Sequence, residues 1–82
     1  MVEELTERTA KLFVMFKMAI EEERKAQSMY REVIGLCNDP VIREALQGLH
    51  DDEVRHEQSL IRQYNALRAT LDDSDQVEKL AG

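Results

Sequence analysis

The chain has 82 residues, a formal net charge of −6 from 17 acidic and 11 basic side chains, and a single cysteine. That length allows one small domain with little core of its own, and one thiol excludes a disulfide framework and suits a reducing, cytoplasmic setting. The acidic balance argues against a nucleic-acid partner and for attraction of cations, while the longest apolar stretch, residues 12–20, is interrupted by Lys17 and too short to span a bilayer.

Three glycines, one proline and a high charged fraction with a period near 3.5 predict an all-α chain. The first helix is expected from about Glu3–Thr6 to Leu36. Along it Leu12, Phe16, Ala19, Glu23, Ala26, Tyr30, Val33 and Cys37 step by four and three, a seam that only Glu23 interrupts with charge. Glu21, Glu22, Arg24 and Lys25 fall off that line and read as a solvated face, with Glu22 a candidate for an outer cation contact in an oligomer. Met15, Met18 and Met29 read as packing, and Cys37 as a small buried hydrophobe rather than a nucleophile.

Punctuation falls once, from Gly35 to Pro40. Asp39 is a good N-cap and Pro40 a good first helical residue, so a second helix is expected from Pro40 to about Thr70. So short a connection folds long helices antiparallel, which makes residues 1–71 one helical hairpin. Gly48 interrupts the second helix, where it either permits close helix approach or is simply tolerated. Residues 72–82 are acidic and without periodicity, and are expected to form a flexible tail.

The second helix carries its own seam: Ile42, Leu46, Leu49, Glu53, His56, Leu60, Gln63 and Leu67. Two of these positions hold a carboxylate and an imidazole in a Glu-x-x-His pair. A carboxylate in an apolar seam is costly unless it is paired or bound to a metal. His50 lies off the seam and is expected to be exposed. At a rise of 1.5 Å per residue, Glu23, Glu53 and His56 lie roughly 23, 22 and 26 Å from the turn, at one axial level.

A pair of helices leaves its seams half open, so a second copy is needed to close the core. A twofold dimer of hairpins makes a four-helix bundle in which Glu23, Glu53 and His56 each occur twice. Four carboxylates and two imidazoles are the ligand set of a carboxylate-bridged di-metal bundle. Such donors favour iron, with manganese also accommodated. Each ion would take Glu53 and His56 from one subunit and share Glu23 with its neighbour. The second ring nitrogen of His56 needs an outer partner, for which Asp52 and Glu57 are the nearby candidates.

Glu23 with Tyr30 seven residues on, the turn Asn38-Asp39-Pro40, and Asp52-Glu53-Val54-Arg55-His56 together resemble the ferritin-like/rubrerythrin superfamily. Over residues 10–70 the single hairpin and the spacing from Glu23 to Glu53 look most like its half-ferritin branch, the encapsulated ferritins. That resemblance implies a ferroxidase using Fe²⁺ and O₂, with two iron ions per dimer interface held by Glu23, Glu53 and His56, and Tyr30 beside the centre. It implies dimers assembled into a ring such as a decamer, and cargo of an encapsulin shell that stores the oxidised iron. In the tail only Val77 and Leu80 stand out as apolar anchors for such a shell. Two other functions stay open: a rubrerythrin-like peroxide scavenger, against which the missing Cys-x-x-Cys pairs count, and a metal-free helical dimerisation or adaptor module.

Overall fold

The computed structural model describes the backbone of residues 2–81 and the side chains of residues 6–71. Two helices, α1 (Val2–Leu36) and α2 (Pro40–Ala81), pack against each other as a hairpin. The hairpin is long and thin, 64 × 19 × 13 Å, its length set by the 42 residues of α2 at about 1.5 Å each.

The turn is built as its sequence requires. Asp39 Oδ1 accepts hydrogen bonds from the amides of Val41 at 2.9 Å and Ile42 at 3.0 Å, and the Asp39 carbonyl accepts the first helical bond from Arg43 at 2.9 Å. These groups satisfy donors that a helix start leaves open, and Pro40 at the first position has no N–H to satisfy. At the end of α1 the Cys37 amide donates to the Ile34 carbonyl at 3.2 Å, and the Cys37 thiol donates to the Asp39 carbonyl at 3.7 Å. Cys37 is half-buried rather than enclosed.

Four cross-pairs show the antiparallel register. Phe13 and Phe16 meet Tyr64 edge-on, with ring centroids 5.2 and 6.4 Å apart, far from the turn. Glu23 meets His56 at mid-length, and Arg31 meets His50 closer to the turn.

The line of contact is rotated from the expected seams. On α1 the inward line is Phe13, Phe16, Ile20, Glu23, Gln27, Tyr30, Ile34 and Cys37; on α2 it is Leu46, His50, Glu53, Glu57, Leu60, Tyr64, Leu67 and Leu71. Both lines step by three and four throughout, the heptad pattern of paired helices. Every member is half-buried or, for Gln27, buried. Leu12, Val33, Ile42, Leu49, His56 and Gln63, expected in the seams, are exposed. An apolar arc wider than one heptad line straddles two faces of a helix, and a single partner helix covers only one of them.

Two smaller expectations are corrected, for His50 and for the end of α2, and the alternatives for Gly48 are narrowed to one. His50 is not off the contact line; its side chain is only 15% exposed. A Cβ on Gly48 would meet nothing within 4 Å, so the hairpin makes no use of a close approach there. The backbone of α2 continues helical to Ala81 instead of ending near Thr70, because no glycine or proline intervenes before Gly82. The side chains of the acidic segment 72–82 lie outside the described residues.

No described apolar side chain is buried; the one buried residue is Gln27, at 8% exposure. Met15, Met18, Met29, Val33 and Leu36 on α1, with Val41, Ile42 and Leu49 on α2, are exposed instead. Among the described residues, no helix is long and apolar enough to cross a membrane.

Candidate metal centre

Glu23 on α1 and Glu53 and His56 on α2 converge at mid-length of the hairpin. One ligand atom from each lies within 4.8 Å of the others. His56 Nδ1 stands 3.5 Å from Glu53 Oε2 and 3.6 Å from Glu23 Oε2. Those gaps exceed an ordinary hydrogen bond. They suit two donors sharing one ion, since ligands at about 2.1 Å from a metal stand no more than about 4.2 Å apart.

The local folding that achieves this is simple. Glu53 and His56 are three residues apart on one helix and so lie on neighbouring rows of one face. Glu53 points along the contact line toward α1, while His56 sits at the outer edge, 60% exposed against 22% for each glutamate. The cluster therefore opens onto the face that carries Met15, Met29 and Leu49. Glu23 Oε2 is enclosed and has no hydrogen-bond partner. An enclosed carboxylate oxygen left unpaired costs about 1–3 kcal/mol, a cost that a cation would remove.

The neighbouring charged groups are already engaged, which separates them from the three candidate ligands. Glu57 accepts from Gln27 Nε2 at 2.7 Å through Oε1 and from Arg24 Nε at 2.9 Å through Oε2. The Gln27 bond first, then Arg24, holds its carboxyl below the usual range. Asp52 pairs with Arg55 on its own helix. Among the described residues no hydrogen bond joins His56 to Asp52 or Glu57, the two candidates for its outer partner; their bonded oxygens turn to other donors. Glu22 is exposed and paired with Lys25 at 3.1 Å.

Tyr30 lies on the contact line of α1, half-buried. Among the described residues no hydrogen bond joins its hydroxyl to the cluster. The second histidine belongs to a separate network toward the turn. Arg31 Nη1 donates to His50 Nε2 at 3.3 Å, leaving Nδ1 to donate to Asp51 Oδ1 at 3.1 Å. The His50 bond, then a bond from Gln47, holds the Asp51 carboxyl below the usual range. An open groove of about 400 Å³ between Lys17, Arg24, Tyr64 and Asn65 is lined by none of Glu23, Glu53 and His56.

The sequence reading missed Arg24 and Gln27. A polar residue recurring on the inward heptad was the available signal for Gln27, and it was hidden by following a line one residue away. The chain matches no protein-family profile, no curated protein and no solved structure.

Proposed function

We propose that the protein is a ferroxidase of the encapsulated-ferritin type, oxidising Fe²⁺ to Fe³⁺ with O₂ at a di-iron centre formed between two copies of the hairpin. The observation that carries this reading is the convergence of Glu23, Glu53 and His56, with an oxygen of Glu23 enclosed and unpartnered. Two carboxylates and one imidazole per chain suit ferrous iron, with manganese as the alternative ion. The exposed apolar face beside the cluster supports closure by a second copy, since a lone hairpin leaves it in water.

In this reading Glu53 and His56 of one subunit would hold an iron ion, with Glu23 supplying a further carboxylate. A pair of bound ferrous ions would supply two electrons to dioxygen together. The ligands must be ionised carboxylates and a neutral imidazole, so loading releases protons and weakens in acid. The apolar face excludes bulk water once the second copy covers it. Tyr30, on the same helix face as Glu23, is proposed to stand near the centre. Higher rings such as a decamer, a cytoplasmic location and an encapsulin shell as partner extend the proposal. The ring and the shell rest on the resemblance alone, and the location rests on the single thiol as well.

The test mixes anaerobic Fe²⁺ with the chain, admits oxygen, and follows ferric absorbance and oxygen uptake. Fast oxidation, abolished singly by Glu23→Ala, Glu53→Ala and His56→Ala, is the expected result. Oxygen uptake no greater than a metal-only blank would remove the ferroxidase. Assembly left unchanged or tightened by the same substitutions, with no metal bound, would leave a helical dimerisation module.

A further inference from the structure

The first helix can present either of two faces to the second, and something must choose between them. The inward heptad of α1 is Phe13, Phe16, Ile20, Glu23, Gln27, Tyr30, Ile34 and Cys37. One residue earlier runs a second heptad: Leu12, Met15, Ala19, Glu22, Ala26, Met29, Val33 and Leu36. The second line is at least as apolar as the first and equally regular. Turning α1 by one residue, about 100° about its axis, would exchange them. That turn would put Glu22 rather than Glu23 opposite Glu53 and His56. Hydrophobic burial does not discriminate, since it is non-directional and follows area.

Directional bonds do. Gln27 is the one buried residue described, and it lies at the centre of a contact line where leucine would ordinarily stand. Its amide donates to Glu57 Oε1 at 2.7 Å, and Arg24 Nε donates to Glu57 Oε2 at 2.9 Å. One carboxylate on α2 thus takes a bond on each oxygen from two points of α1, three residues apart. The rotated packing would carry Gln27 and Arg24 away together and leave the Glu57 carboxylate half-buried without them. A single polar residue at an inward heptad position is known to fix register at some expense of stability.

We infer that Arg24, Gln27 and Glu57 form a rotation lock that selects which heptad of α1 faces α2, and so presents Glu23 to Glu53 and His56. This inference rests on the proposed metal site for its consequence, though not for the lock itself. The three are positioning residues. They touch none of the three ligands through the bonds described, and act by holding α1 at one angle about its axis.

The experiment uses the full chain and the Glu57→Ala variant, which removes both bonds from α2 at once. Spin labels at Ser28→Cys and Gln58→Cys, in a Cys37→Ala background, report the interhelix distance without metal. One narrow distance is expected for the parent and a second population for Glu57→Ala; an unchanged distribution overturns the lock. Co²⁺ titration then reads the consequence, with an affinity lower by roughly tenfold or more in Glu57→Ala and an altered visible spectrum. Glu57→Gln keeps an acceptor for Gln27 and is expected to recover part of both signals. Equal Co²⁺ affinity in the parent and Glu57→Ala would overturn the positioning role. A parent chain that binds no Co²⁺ overturns the metal site and the positioning role with it, while the label distances still decide whether the lock exists.

Discussion

Glu23 on α1 faces His56 on α2 across the helix interface, with Oε2 3.6 Å from Nδ1 and no hydrogen-bond donor of its own. That oxygen costs stability in the metal-free hairpin and would gain a partner if a cation bound. Stability and metal binding should therefore respond oppositely to its removal.

Glu23→Leu is expected to raise the stability of the metal-free chain by about 1 kcal/mol, by removing an enclosed, unpaired acceptor. The same change should abolish the gain in melting temperature that Co²⁺ or Fe²⁺ gives the parent, a gain that binding to the folded state alone must produce. Thermal unfolding with and without metal measures both. A metal-free variant less stable than the parent would mean that Glu23 has a donor in solution.

Gly48 occupies open space, since a methyl group there would meet nothing within 4 Å. Gly48→Ala should stabilise α2 by about 1 kcal/mol through helix propensity alone. Circular dichroism melts of the metal-free chain would show it. A loss of stability would place another chain against that position.

Much of the architecture was readable because its signals are local. Asp39 and Pro40 mark the start of α2 by capping chemistry, and long periodic segments joined by three residues leave little choice but a hairpin. The level of Glu23 against Glu53 and His56 was readable too, because helical rise is constant. The angle of each helix about its axis was not. Leu12 and Phe13, or Ala26 and Gln27, are neighbours on one broad apolar arc. Which of each pair turns inward depends on bonds from Arg24 and Gln27 to a glutamate thirty or more residues away. The outer partner of His56 was not legible for a related reason: nearness in sequence makes Asp52 and Glu57 candidates but says nothing about the donors that claim them.

Acid should loosen the lock before it unfolds the helices. The Glu57 carboxyl sits below its ordinary value of 4.5, because Gln27 and then Arg24 stabilise its charged form. A group whose folded value is depressed contributes stability that is fully present above the unfolded value and lost as pH falls through the folded one. The metal-free chain should accordingly hold its stability above about pH 4.5 and lose some below it, with Glu57→Gln losing less over the same range. Denaturant midpoints at several pH values test this. Parallel curves for the parent and Glu57→Gln would contradict it.

The outer heptad of α1 gives the last expectation. Met29 is 52% and Val33 40% exposed, beside Leu36 and the open edge of the Glu23, Glu53 and His56 cluster. A second copy laid on this face would bury side chains worth about 1.5–3 kcal/mol each, so a charge at either position should weaken self-association roughly tenfold or more. Met29→Glu and Val33→Glu leave the inward heptad untouched and should preserve the helicity of the hairpin. Sedimentation equilibrium, run with and without Fe²⁺ under nitrogen, should find the parent as a dimer or larger and both variants shifted toward the monomer. A parent chain that stays monomeric in both conditions would leave each cluster with three ligands and no mate, and the paired-ion chemistry would fail with it.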